Sequence, residues 1–227
     1  MIIPIHNVLN PQQLADIQAS LRKAEWQNGL VTAGQQATSV KRNHQLPERD
    51  TLTRKLGDTI LSALAVHPVF ISAALPLKIY PPMFNRYEPG ETYGLHVDNT
   101  LRVVPGTTVR VRTDLSATVF LSEPDDYRGG ELTIEDQLGS REIKLAAGDM
   151  ILYQATQLHR VTPIMAGCRY ASFFWLQSMV RSHEQREVLF NLDQSVQSLI
   201  LQHGQGHEDV LRLSAIYQNL MRQFADT

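Results

Sequence analysis

His96 and Asp98 stand two residues apart at the end of Tyr87-Glu-Pro-Gly-Glu-Thr-Tyr-Gly-Leu-His96-Val-Asp98, which reads as a turn running into a short extended segment. Residues i and i+2 of a strand project from one face, so this imidazole and carboxylate point the same way and offer two ligands to a metal ion. The motif needs context. Eight histidines and twelve aspartates in 227 positions supply His-x-Asp about 0.4 times per chain by chance.

Two later segments supply that context. Gly148-Asp-Met-Ile-Leu-Tyr153 reads as a strand after a tight turn, and a short connection leads to Leu158-His159-Arg-Val-Thr-Pro-Ile164, a second strand that opens on a histidine. Strands joined this way are expected to lie side by side and to bring His159 to the mouth of the same pocket. Alone, His159 is better read as a hydrogen-bonded strand-end histidine. With His96 and Asp98 it completes two imidazoles and a carboxylate, the facial ligand set of non-haem Fe(II) sites. Ten residues on, in Cys168-Arg169-Tyr-Ala-Ser-Phe-Phe-Trp175, the residues Arg169, Ala171, Phe173 and Trp175 share one strand face. A guanidinium turned into a barrel is costly unless an anion meets it, and its fork suits a carboxylate held at two points. The plainer reading is an outward arginine at a strand edge; the joint order His-x-Asp, His, Arg favours the inward one.

The elements that must position these groups come in three textures. Ile2 to Leu9 reads as a strand, followed by a helix capped by Asn10 with Pro11 at its first position and Leu14, Ile17 and Leu21 on one stripe. Residues 31 to 46 read as irregular strand or loop, and a second helix starts near Glu48 and ends at His67-Pro68. From residue 75 short strands follow near 77–87, 93–98, 114–122, 130–135, 141–145, 148–153, 159–164 and 168–177. Turns such as Pro89-Gly90, Gly129-Gly130 and Leu138-Gly139-Ser140 punctuate them. That spacing predicts an antiparallel jelly-roll, so the fold class is α+β, mainly β, with N-terminal helices. Two apolar stripes after Val180, broken at Gly204 and Gly206, predict a C-terminal helical hairpin that packs either on the barrel or, as a homodimer contact, on a second copy. The expected division is a domain over 1–180 and a helical extension over 181–227.

Composition narrows the partners. The net charge of −2 points to no nucleic acid and no anionic membrane surface as partner. A single cysteine, Cys168, allows no internal disulfide and fits a reducing compartment. The N-terminus lacks a basic region and a cleavage site, and no run approaches a membrane span, so the chain reads as cytoplasmic.

With these residues in place, the chain resembles the Fe(II)/2-oxoglutarate-dependent dioxygenases on their double-stranded β-helix fold. Tyr87-x-x-Gly90 and Gly129-Gly-Glu-Leu132 resemble the prolyl 4-hydroxylase branch. Lys41-Arg-Asn43-His-Gln45-Leu and the helical C-terminus resemble the bacterial PKHD-type hydroxylases, the PiuC-like group associated with iron uptake. The likeness spans essentially the whole chain. It implies Fe(II) held by His96, Asp98 and His159, with positions left open for 2-oxoglutarate and O2. Arg169 would anchor the far carboxylate of the co-substrate, Tyr87 would add a hydrogen bond there, and ascorbate would serve as reductant. The products would be succinate, CO2 and a hydroxylated substrate, a small molecule or peptide that the sequence does not identify. One position departs from the family: Phe120 stands where animal prolyl hydroxylases place a tyrosine, leaving Thr118 or Ser116 to make the second contact. The rival reading is a jelly-roll that senses iron or 2-oxoglutarate without turnover; a β-sandwich binding module with an incidental His-x-Asp is a third.

Around this site, Arg102, Arg110 and Arg112 lie in a segment, 99–112, with no acid before Asp114. A solvated charge run is the bland explanation; the functional one is an anionic substrate group. Tyr93, Trp175, Asn43 and Gln45 are further candidates for the pocket wall. His203-x-x-x-His207 has the spacing of a helical metal pair, but Gly204 and Gly206 interrupt it, so it reads as a loop coincidence.

Overall fold

The computed structural model describes residues 1–32, 39–136 and 139–226, so part of the 31–46 segment and Leu138 of the turn before Ser140 lie outside the described residues. Ile2–Ile5 forms β1 and Pro11–Lys23 forms α1. The α1 N-terminus is a capping box: Asn10 Oδ1 accepts from the Gln13 amide at 2.9 Å, and Gln13 Oε1 accepts from the Asn10 amide at 3.0 Å. Helix α2 (Thr51–Leu64) begins later than expected, because Asp50, whose carboxylate accepts from the Leu52 amide, is its cap. Sequence reading passed over α3 (Pro68–Ala74), which starts at the proline that ends α2. Seven residues are too few to show a helical stripe.

Two antiparallel sheets face each other as a double-stranded β-helix. The larger runs β1, β14 (Met150–Gln154), β10 (Leu115–Phe120), β17 (Arg169–Ser178), β6 (Met83–Tyr87), β4 (His44–Gln45) and β2 (Gln27–Asn28), with β5 (Pro76–Ile79) also pairing β17. The smaller runs β13 (Gly139–Ile143), β12 (Leu132–Asp136), β15 (His159–Val161), β7 (Thr92–His96) and β3 (Lys41–Arg42). Two further pairs, β11 (Tyr127–Gly129) with β16 (Ile164–Gly167) and β8 (Leu101–Val103) with β9 (Arg110–Arg112), complete the strands.

Alternation along the large sheet divides the interior. Leu115, Ala117 and Val119 of β10 and Met150 and Leu152 of β14 pack with α1 to α3, around Ile17, Ile60, Leu64 and Phe70. Their neighbours Phe120, Ile151 and Tyr153 face the smaller sheet and pack with Ile134 and Val161. At about 1.5–3 kcal/mol for each large apolar side chain taken from water, the first layer makes the large sheet the rigid member on which the site is built.

The structure corrects four expectations. The strand predicted over 77–87 is split at Pro81-Pro82, which cannot donate to a ladder. The segment 99–112, where the sequence predicted no strand, forms the β8–β9 hairpin around Pro105-Gly106, with Gly106 at φ +79°. Strand β7 stops at His96, so Asp98 lies just beyond the strand, not within it. And β14 and β15 do not lie side by side. The connection between them crosses from the large sheet to the small one, where β15 pairs β12 and β7.

The C-terminal helices α4 (His183–His203) and α5 (Glu208–Phe224) form the expected hairpin. They cover the body of the protein: Leu189, Tyr217, Leu220 and Phe224 pack on Leu75 and Val180. The buried Arg186 donates to the carbonyls of Val180 at 2.7 Å and Arg181 at 2.8 Å, tying α4 to the end of β17. His203 closes α4 and His207 caps α5, on either side of Gly204. Among the described residues no single helix is long and apolar enough to cross a membrane.

Candidate active site

His159 and His96 are direct cross-strand partners on β15 and β7. Their ring centroids are 4.2 Å apart, and the donor atoms of His96, Asp98 and His159 all lie within 4.8 Å of one another. Backbone carbonyls set the state of both imidazoles. His96 Nδ1 is 2.8 Å from the Gly94 carbonyl and His159 Nδ1 is 3.0 Å from that of Gln157. A carbonyl only accepts, so each Nδ1 carries a proton, and in the neutral ring that leaves the Nε2 lone pair for a cation. Burial, with His159 adding repulsion, pulls His96 down to about 4, so it stays neutral near pH 7.

Asp98 Oδ2 accepts from Ser116 Oγ of β10 at 2.6 Å and stands 3.7 Å from His159 Nε2. Ligand bonds of about 2.1 Å at right angles put neighbouring donors about 3 Å apart, so a small inward shift suffices to close the set on an ion. The serine also replaces what the strand does not provide. Beyond the end of β7, the hydrogen bond from Ser116 fixes where the carboxylate points.

The same cavity is lined by Tyr87, Thr118, Tyr153 and Arg169. Arg169 points inward and is 1% exposed. Its Cζ lies 5.5 Å from the Tyr87 ring centroid and 5.4 Å from that of Phe120, while Nε and Nη1 have no hydrogen-bond partner among the described residues. Phe120 therefore contributes a ring face to the guanidinium, worth about 0.5–2 kcal/mol, and not a hydrogen bond. Of the two hydroxyls considered in its place, Ser116 is committed to Asp98 and Thr118 lines the cavity. The Tyr87 phenol, fully buried, is pushed up to about 12 by desolvation, against the pull of Arg169, and so acts as a neutral donor. Tyr153, which the sequence did not single out, also faces the cavity; its phenol is raised well above its ordinary value, first by burial and then by Asp98.

Gly129-Gly130 explains itself in the packing behind Arg169. Both residues have positive φ, +78° and +70°. A Cβ on Gly130 would sit 2.3 Å from Ile164 Cδ1 and press on Arg169 Cδ at 3.2 Å, at a φ that side chains rarely adopt, so glycine spares the packing around the arginine stem.

The remaining candidates separate. Lys41, Asn43 and Gln45, alternate residues where the chain passes from β3 of the small sheet to β4 of the large one, line the cavity together with Tyr93 and Trp175. Tyr93 stacks on His96 at 3.6 Å between ring centroids, 14° from parallel. Of the three arginines, Arg112 is held by Asp114 in a two-point ion pair at 2.7 and 2.9 Å and Arg110 is exposed, so neither belongs to the cavity. Only Arg102 turns inward. A second group of donors, His44, Glu88 and Glu91, is drawn together by other pairings: Glu91 stands 2.9 Å from His44, and Glu88 is 3.2 Å from Arg86.

Known proteins share both the sequence and the fold. Residues 82–177 match the 2OG-Fe(II) oxygenase superfamily, and residues 183–226 match the PKHD-type hydroxylase C-terminal domain. The chain is similar to a PKHD-type hydroxylase of Acinetobacter baumannii, 55% identical over 226 residues, and to one of Saccharophagus degradans, 54% identical over 227 residues; each alignment covers 100% of both chains. Among solved structures, a prolyl-4-hydroxylase of Pseudomonas putida superimposes with a TM-score of 0.53 at 16% identity, covering 78% of this chain and 92% of that one. The α-ketoglutarate-dependent carbocyclase SnoK from nogalamycin biosynthesis does so with a TM-score of 0.56 at 16% identity, covering 79% and 80%. At such identity these two likenesses establish the fold.

Proposed function

The chain belongs to the PKHD-type hydroxylases of the 2OG-Fe(II) oxygenase superfamily, and on that premise we propose that His96, Asp98 and His159 hold Fe(II) while Arg169 binds the far carboxylate of 2-oxoglutarate. One observation carries this assignment. Three donors that can close on one ion share a cavity with a buried guanidinium whose Nε and Nη1 have no hydrogen-bond partner among the described residues. The donor set suits the metal, since two neutral imidazoles and one carboxylate on a single face leave the other side of the ion open. The arginine suits the co-substrate, since its fork matches a carboxylate and its burial makes that pairing strong.

Bound Fe(II) supplies the redox chemistry that couples oxidative decarboxylation of 2-oxoglutarate, to succinate and CO2, to hydroxylation of a substrate by O2. The protein supplies position. Gly94 and Gln157 orient the two imidazoles through their carbonyls, and Ser116 orients Asp98. Tyr87 and Phe120 hold the Arg169 guanidinium between their rings, which keeps water from it and leaves its N–H edges for the co-substrate. Tyr87 and Thr118 are the hydroxyls placed to add a hydrogen bond there.

By the resemblance of the motifs, ascorbate is the proposed reductant that returns the metal to Fe(II), the proposed substrate is a small molecule or peptide, and the proposed setting is iron uptake. The test is untargeted mass spectrometry of cell extract incubated with the protein, Fe(II), ascorbate and 2-oxoglutarate. A product heavier by one oxygen, formed by the parent and not by Asp98→Ala, is the expected result. An extract without any such Asp98-dependent product counts against hydroxylation at this site.

A further inference from the structure

The cavity has two ends of different character. Tyr87 and Arg169, almost wholly buried, form the closed end. Lys41, Tyr93, Arg102, Phe173 and Trp175 line the other, beside the exposed Val97. Lys41 is 4% exposed, with Nζ 5.3 Å from the Tyr93 ring centroid. Arg102 projects from the inner face of the β8–β9 hairpin; its Cζ lies 4.1 Å from the Trp175 centroid and 5.0 Å from that of Tyr80. A guanidinium stacked on an indole still offers its N–H edge in plane, where a carboxylate fits.

Charge at this end does not balance. Glu48 is the acid that faces the two cations, 3.8 Å from Arg102 Nη2, at the outer limit of an ion pair, while its other oxygen accepts from Tyr80 Oη at 3.4 Å. Deeper in, the charges of Fe(II), Asp98, Arg169 and a doubly charged 2-oxoglutarate cancel. The bound cavity is thus left with Lys41 and Arg102 against Glu48, one positive charge in excess. Burial, and then repulsion from Arg102, hold the Lys41 amine down to about 8, with Glu48 acting in the opposite direction. An anion brought between them offsets both penalties. It would lie close to the metal, since Tyr93, which carries the Lys41 ammonium above its ring, is itself stacked on His96.

We infer that Lys41 and Arg102 anchor a carboxylate on the substrate, and that Phe173 and Trp175 pack against the apolar or aromatic group that carries it. The inference rests on the oxygenase reading above and places substrate selection at the open end of the same cavity. It also assigns the arginine-rich hairpin a narrower role than its composition suggests: Arg102 reads the substrate, while Arg112 is spent on Asp114 and Arg110 faces solvent.

The test uses the Fe(II)-loaded protein, kept without O2 and saturated with 2-oxoglutarate so that the closed end is filled. Phenylacetate, phenylacetamide and phenethylamine, close in shape and differing in charge, are titrated in by calorimetry. Phenylacetate is expected to bind at least about tenfold more tightly than the amide, as charge-assisted hydrogen bonds imply, with the amine weakest. Arg102→Gln is expected to reduce that preference to about twofold or less. Because Arg102 also braces Tyr80 and Trp175, Lys41→Gln is run beside it and is expected to cut the preference as well. Equal binding of acid and amide, binding of no probe, or a preference intact in both variants would overturn the inference. Admitting air to the same loaded sample and measuring succinate keeps the two levels apart. Without succinate it is the oxygenase assignment that fails, whichever probe binds.

Discussion

Arg169→Met is expected to bind 2-oxoglutarate at least about 100-fold more weakly than the parent, while the protein without co-substrate becomes no less stable and gains about 1 kcal/mol. The two effects have one cause. The guanidinium is buried between Tyr87 and Phe120, and among the described residues its Nε and Nη1 have no hydrogen-bond partner, so the fold carries a desolvated cation that a carboxylate would satisfy. Methionine keeps most of the volume and removes the charge, which relieves the fold and leaves the co-substrate without its partner. Thermal unfolding reads both at once. Saturating 2-oxoglutarate with the metal present should raise the parent's Tm and leave that of Arg169→Met unmoved, since only a ligand that binds the native state shifts its stability. A variant that gains as much Tm from 2-oxoglutarate as the parent would remove Arg169 from the role.

The second large effect is expected at Asp98. Asp98→Ala should lose tight Fe(II) binding, by about 100-fold or more, because two neutral imidazoles remain without the one negative ligand of the set. The fold should survive. Asp98 lies beyond the end of β7, bonded to Ser116 and not to any strand ladder, so its removal disturbs no element. Equilibrium dialysis with Fe(II) under nitrogen measures the affinity, and far-ultraviolet circular dichroism checks the fold. Unchanged Fe(II) affinity in a folded Asp98→Ala protein would place the metal elsewhere.

Much of this architecture was legible in the chain because local chemistry and global fold agree. Asn10-Pro11 caps and opens α1 as the residue types require. The joint order His-x-Asp, His, Arg favoured an inward arginine, and Arg169 is buried. What was illegible depends on partners far away in sequence. Nothing in Met150–Gln154 or His159–Val161 says that the four residues between them cross from one sheet to the other. Yet that crossing sets His159 directly opposite His96. The spacing of His96 and Asp98 suggested a continuous strand; β7 instead ends at the histidine, and the carboxylate is aimed by Ser116, eighteen residues downstream. Phe120 looked like a lost hydroxyl by comparison with the family, and only the packing shows its ring face against the guanidinium. The arginines of 99–112 looked alike in sequence. Hairpin pairing turns Arg102 inward and leaves Arg110 and Arg112 outside the cavity, a distinction that period-two alternation carries only once the strands are known.

In the proposed mechanism one ion held by His96, Asp98 and His159, with 2-oxoglutarate on Arg169, carries the reaction. Succinate formed from 2-oxoglutarate tests it most directly, measured with Fe(II) in air and in nitrogen for the parent and for His96→Ala, Asp98→Ala and His159→Ala. O2-dependent succinate is expected from the parent, with a fall of about 1,000-fold or more in each folded variant, as when a group acting as a unit loses a member. Succinate at the parental rate from any one of the three folded variants would contradict it.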